Sequence, residues 1–144
     1  MAYDVSQLLK MSQAQLDELF TKSAPGGEIP DGEGKGTAIV APGTTYSKEI
    51  AELINHFGWQ GKVFDAKKGV LTNKILFFGL NAIIAKVYKA VSWLDDKECI
   101  VLDYSETSFV ASRIRDEIRL IGPGLYLGKV YWGKSRLIDF ALQF

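Results

Sequence analysis

From Trp59 to the end of the chain, apolar side chains return at every second position, and turn residues break the pattern at short intervals. Six segments carry this period of two: GKVFDA (61–66), VLTNKILF (70–77), NAIIAKVYKAVSWL (81–94), DKECIVLDY (96–104), LYLGKVYW (125–132) and RLIDFALQF (136–144). All are rich in β-branched and aromatic residues, the types that fit a pleated, half-buried surface. Lys67-Lys68-Gly69, Gly79-Leu80, Asp95-Asp96-Lys97 and Gly133-Lys134-Ser135 separate most of them with tight turns. Strands joined in this way are antiparallel, and a meander of six or seven hides its edges most economically by closing into a barrel.

Elsewhere the period is helical. Residues 11–22 predict a short helix with Ser12 as N-cap, Gln15 completing a capping box, and Leu16, Leu19 and Phe20 as the apolar face. After a strand over TAIVA (37–41), Ser47 caps a second helix in which Ile50, Leu53, Ile54 and Phe57 recur until Gly58. A third helix is expected over residues 105–121. There Val110, Ile114, Ile118 and Ile121 make one stripe, while Arg113, Asp116 and Glu117 make another, with Arg113 and Glu117 as an i, i+4 pair. Pro123 ends it and Gly122 and Gly124 turn the chain into the strand LYLGKVYW. Residues 24–36, with five glycines and two prolines, read as a flexible loop. The expected class is therefore mainly β (α+β): one domain over 1–144, an antiparallel meander closing into a barrel. Two N-terminal helices precede it, and one helix is inserted before the last two strands.

Alternation also predicts which faces look inward. Tyr126, Gly128, Val130 and Trp132 form an uncharged set, as do Ile138, Phe140 and Leu142, and Ile100, Leu102 and Tyr104. Gly128 removes a side chain from a bulky face, which leaves room for a ligand or serves barrel curvature. Tyr104, Tyr126 and Trp132 each put a polar tip on a large apolar body, as a site for an oily molecule with one polar end requires; core filling is the alternative role.

Composition narrows the function classes. The 144 residues are 47% hydrophobic and 24% charged, and 17 basic side chains balance 17 acidic ones, which gives no sign of a nucleic-acid or anionic-membrane partner. The single Cys99 excludes an internal disulfide and fits a reducing cytoplasm. The single His56 excludes a histidine metal pair, and Glu49 and Glu52 beside it are weak evidence for a metal. GEGKG (32–36) has neither the Walker spacing nor the dinucleotide fingerprint, so no cofactor is expected. The start MAYDVSQLLK lacks a signal peptide's basic and apolar regions, and no apolar run approaches the roughly 18 residues of a membrane helix.

The entry to the first long strand, GW-x-GK-x-F (Gly58, Trp59, Gly61, Lys62, Phe64), together with IRDEIR, GPGLYLGKVYW and DFALQF, resembles the lipocalin-like, or calycin, barrels. More narrowly it resembles small bacterial domains with a GxWxG-type start. The resemblance implies a barrel that binds a fatty acid, isoprenoid or similar small hydrophobic ligand, and it carries over no catalytic residue. The candidate ligand-binding residues are Tyr104, Tyr126, Gly128, Trp132, Arg113 and Arg136. Two alternatives stand beside binding: an enzyme using Tyr104 with Arg113 or Asp103 for proton transfer on a hydrophobic substrate, and an interaction module with a filled core.

Overall fold

The computed structural model of the chain describes residues 3–26, 28–39, 59–75, 80–107 and 112–144. Two short helices, α1 (Val5–Leu8) and α2 (Gln13–Lys22), precede eight strands: β1 (Gly32–Ile39), β2 (Trp59–Asp65), β3 (Val70–Ile75), β4 (Leu80–Val91), β5 (Glu98–Asp103), β6 (Ile114–Gly122), β7 (Leu125–Trp132) and β8 (Ser135–Gln143). Each strand pairs antiparallel with its neighbours in sequence, and β1 pairs with β8 to close the barrel. Among the described residues, no helix is long and apolar enough to cross a membrane.

The predicted cap of α2 is present. The Ser12 side chain accepts from the Gln15 backbone N–H, and the Gln15 side chain accepts from the Ser12 N–H. An unforeseen capping box, Asp4 with Gln7, starts α1 in the same way. The second expected helix, from Ser47 to Phe57, lies outside the described residues together with His56.

The expected helix over 105–121 is replaced by a strand, β6. Val110, Ile114 and Ile118 of its apparent helical stripe are four apart, a spacing that period two also satisfies, and only the step of three to Ile121 is helical. As a strand the segment points Asp116, Ile118 and Leu120 into the barrel and Arg115, Glu117 and Arg119 outward, and most of both faces is buried. The Arg113–Glu117 pair therefore does not form by helical spacing. Glu117 instead accepts from the Ser92 hydroxyl at 2.5 Å, the Trp93 N–H at 2.8 Å and Arg115 at 3.0 Å.

The loop expected over 24–36 is also shorter than its glycines suggested. Residues 32–36 belong to β1, paired with β2 on one side and, from Lys35 on, with β8 on the other, and Ala24 bridges to Leu120. The glycines are there for close approach. A Cβ at Gly34 would come within 2.8 Å of the Phe144 ring, and one at Gly36 within 2.4 Å of the Trp59 ring. Aromatic rings inside the barrel supply the apolar contact that the strand's own side chains omit.

Two apolar clusters lie on opposite sides of the sheet. Phe64, Leu71, Ile100, Leu102, Ile118, Tyr126, Phe140 and Leu142 fill the barrel. Leu8, Leu16, Phe20, Ile39, Cys99, Val101, Leu125, Leu127 and Ala141 form the second cluster, where α1 and α2 cover the outer wall. Cys99 belongs to that outer cluster, and burial pushes its thiol up to about 12, so it serves as a small apolar side chain rather than a nucleophile.

Candidate functional site

The barrel interior changes character along its axis. One end is closed by the tight β2–β3, β4–β5 and β6–β7 turns and is packed with Phe64, Leu120, Tyr126, Leu142 and Phe144. Phe144 meets Phe64 and Tyr126 edge to face, with centroids 5.5 and 5.6 Å apart. The other end receives the longer connections 40–58 and 104–113. Toward that end a polar layer replaces the apolar one. Lys62 precedes Phe64 by two, Asn73 follows Leu71 by two, Tyr104 follows Leu102 by two and Asp116 precedes Ile118 by two. Because successive inward positions are two apart, β2, β3 and β6 and the residue that follows β5 each deliver one polar side chain to the same level.

These four side chains form one network. Lys62 Nζ donates to Asn73 Oδ1 and to the Tyr104 hydroxyl, both at 2.7 Å, and pairs with Asp116 Oδ2 at 3.1 Å. Asn73 Nδ2 donates to the Tyr104 oxygen at 2.9 Å, Tyr104 donates onward to Asp116 Oδ2 at 3.3 Å, and Trp59 Nε1 donates to Asn73 Oδ1 at 3.1 Å. Lys62 Nζ also sits 5.3–5.5 Å from the ring centroids of Trp59, Tyr104 and Phe140, an aromatic cage that suits a cation removed from water. Lys62 is 4% exposed and Asp116 3%.

Burial opposes the charge on Lys62, but Tyr104 and Asp116 outweigh it and hold the ammonium above its ordinary value. Burial likewise pushes the Asp116 carboxyl up, against the pull of Lys62. The network therefore holds a proton more tightly than either group would alone. Burial also pushes Tyr104 up to about 12, so its hydroxyl stays neutral. One atom of the network is unmet: Asp116 Oδ1 is buried and has no hydrogen-bond partner.

The sequence-predicted residues are distributed over three regions. Tyr104 stands in the polar layer. Tyr126 lies in the barrel at the tight-turn end, four residues from Val130, the residue that pairs with Asp116, or roughly 13 Å of strand. Gly128 is inside, and the space above it holds the Phe140 ring, which a Cβ would meet at 2.2 Å. Trp132 is 47% exposed at the end of β7. Arg113 is exposed and borders an outer-wall groove with Trp93, Asp103, Ser105, Arg115 and Lys134; within it the Arg115 guanidinium stacks 4.2 Å above the Trp93 ring. Arg136 is also on the outer wall, where it clasps Asp17 of α2 through two bonds of 2.5 and 2.8 Å. Asp103 faces outward and accepts from Tyr88 at 2.7 Å, so it does not meet Tyr104 across the interior as acid–base partner.

Lys62, Asn73 and Asp116 are the residues that sequence reasoning did not select. Lys62 stood in the GW-x-GK-x-F motif, two before Phe64, and so was already on an inward face. Asp116 alternates with Ile114 and Ile118, which marks it as inward once the segment is read as a strand. A carboxylate and an ammonium, each on an inward face, were the available signal. Among the described residues, no three His, Cys, Asp or Glu side chains converge as metal ligands would.

A crystal structure of a protein from Thermomonospora curvata is similar to this chain, with a TM-score of 0.61 and 17% identity, over 92% of this chain and 87% of that one. The likeness is one of fold. No family model matches this chain, and no curated protein matches it.

Proposed function

We propose that this protein binds a small, mostly apolar ligand inside its barrel, with the ligand's polar end held at the layer of Lys62, Asn73, Tyr104 and Asp116. The observation that carries this reading is a buried ion pair with one carboxylate oxygen, Asp116 Oδ1, left without a donor, in a barrel whose described inward residues are otherwise mostly apolar. Breaking the hydration of two charges costs several kcal/mol per ion, and well-packed apolar residues in their place would often be as stable or more so. A barrel selected for stability alone has no need of that layer, whereas a binding site needs a few placed polar groups against apolar walls. The lipocalin-like resemblance carried by Gly58, Trp59, Gly61, Lys62 and Phe64 points to the same class of ligand, an isoprenoid or fatty-chain molecule. Tyr126 and Gly128 lie on the wall below that layer, where the ligand's apolar part would have to displace the Phe140 ring that fills the space above Gly128, and Trp132 stands at the mouth. Arg113 and Arg136, on the outer wall, take no part in this interior site.

Binding without chemistry is the favoured form of the proposal, because a tyrosine near 12 and an ammonium held above its ordinary value are poor proton carriers at neutral pH, and Asp116, whose carboxyl burial shifts toward neutrality, is held in its pair with Lys62. A cytoplasmic carrier fits the single buried cysteine. Native mass spectrometry of the purified protein provides the test. A species heavier than the chain by a discrete, organic-extractable mass is expected. A spectrum of bare chain only, together with failure to bind an apolar fluorescent probe such as N-phenyl-1-naphthylamine, would leave a filled interaction module as the better description.

A further inference from the structure

The donors and acceptors of the polar layer do not balance, and the imbalance has a chemical direction. The Lys62 ammonium spends its three hydrogens on Asn73, Tyr104 and Asp116. Tyr104 accepts from Lys62 and Asn73 and donates to Asp116, while Asn73 Oδ1 accepts from both Lys62 and Trp59. Both donors that reach Asp116 go to the same oxygen, Oδ2, and Oδ1 is left buried without a donor. A buried carboxylate oxygen with no hydrogen bond is costly, and such atoms are rare in folded proteins.

Resting on the ligand-binding reading above, we infer that Asp116 Oδ1 is the anchor for the ligand's head group, and that this head is a hydrogen-bond donor such as a primary alcohol or an amine. A carboxylate head would set one acceptor against another beside a carboxylate. An ether or ester head would likewise bring no hydrogen to the one atom that needs it. The Lys62 ammonium is already fully used, so it offers no hydrogen to a ligand anion either.

Three ten-carbon probes of similar apolar area separate the possibilities: 1-decanol, decanoate and nonyl methyl ether, each used at pH 7 to displace N-phenyl-1-naphthylamine from the intact protein. Decanol is expected to compete about tenfold better than the ether, the scale of one hydrogen bond to a charged group, and decanoate is expected to be weakest. Equal competition by all three would overturn the head-group assignment and leave barrel binding standing. Preference for decanoate would overturn it in the opposite direction. No binding of the naphthylamine at all would overturn barrel binding, and the head-group assignment with it.

Asp116→Asn provides an independent arm. Lys62 and Tyr104 both donate toward Oδ2, so the new amide must turn its oxygen to them and place its NH2 where Oδ1 was. That exchange converts the acceptor into a donor. Decanol should then lose its advantage over the ether, because both oxygens accept from the new NH2, and decanoate, an acceptor facing one negative charge fewer, should rise from last place; loss of packing would weaken all three alike. If the substituted protein proves unfolded by circular dichroism, the wild-type probe series decides alone.

Discussion

Among the described residues are two buried lysine–aspartate pairs, one on each side of the same sheet, and they are completed differently. On the outer wall Lys129 lies between Asp139 at 2.6 Å and Asp17 at 2.7 Å, with Gln13 and Arg136 supplying further bonds to those carboxylates. Each charge there is answered by another part of the chain, and half of the partners come from α2. The pair works as a clasp that seats the helix on the barrel. On the inner wall Lys62 is surrounded by aromatic rings, and one oxygen of its partner Asp116 is left without a donor. Charge burial alone does not tell the two pairs apart; the accounting of hydrogen bonds does.

Removing the lysine from each pair is the strongest way to break this comparison. Lys129→Met and Lys62→Met each strand a buried carboxylate, and each should lower stability by about 3–5 kcal/mol in urea unfolding. Only Lys62→Met should alter the order in which decanol, ether and decanoate compete for the barrel. Loss of that order in Lys129→Met would show that the two pairs are coupled and that the outer one is not merely a clasp.

A smaller effect tests the packing beneath the inner layer. Gly128→Ala puts a methyl group into the Phe140 ring, which itself carries one side of the Lys62 cage. Overpacking of this kind costs about 1–3 kcal/mol, and Phe140→Leu in the same chain should recover most of it by making room. Strict additivity of the two substitutions would mean that the ring is not the obstacle.

The smallest expected effect is a pH dependence of the outer clasp. Burial raises the Asp17 carboxyl, but bonds from Arg136 and Lys129 outweigh it and bring the group from an ordinary 3.8 down to about 2. A carboxylate lowered in the folded state adds stability that is complete above about pH 4 and is lost as pH falls through 2. Asp17 is partly exposed, so solvent screening limits this contribution to about 1 kcal/mol or less. The wild-type minus Asp17→Asn stability difference, followed by urea unfolding from pH 5 to pH 2, should shrink across that window. A flat difference would remove Asp17 from the clasp.

Much of the barrel was legible in the sequence because β7 and β8 bury apolar residues on their inward face and place charges on the other. Tyr126, Phe140 and Leu142 could be placed inside for that reason, and the capping box of α2 was visible as Ser12 with Gln15. The failures occurred where the rule of apolar inside and polar outside is broken. β1 shows glycines inward because Trp59 and Phe144 lie across them, and a strand without side chains has no alternation to read. β6 has charges on both faces: Asp116 meets Lys62 inside, and Arg119 outside is fully buried while binding Asp95 and the Phe20 carbonyl. Neither partner set is near in sequence, so IRDEIR looked like a solvated helix. The site was missed for the same reason. Of its four polar residues only Tyr104 looks like an amphipathic wall residue, and the others declare themselves only when four strands meet.

The pairing of β1 with β8 also constrains when the protein can become itself. Lys35 meets Gln143 and Ile39 meets Asp139, contacts separated by about a hundred residues, and such pairings are made late because loop closure must precede any gain from them. While the chain is being synthesised, β1 through β7 can assemble as a curved sheet with two unpaired edges, the state most prone to joining another copy. Lys62 and Asp116 are then separated from water only in part. The dry interior on which the ion pair depends comes into being in a single step, when β8 closes the seam.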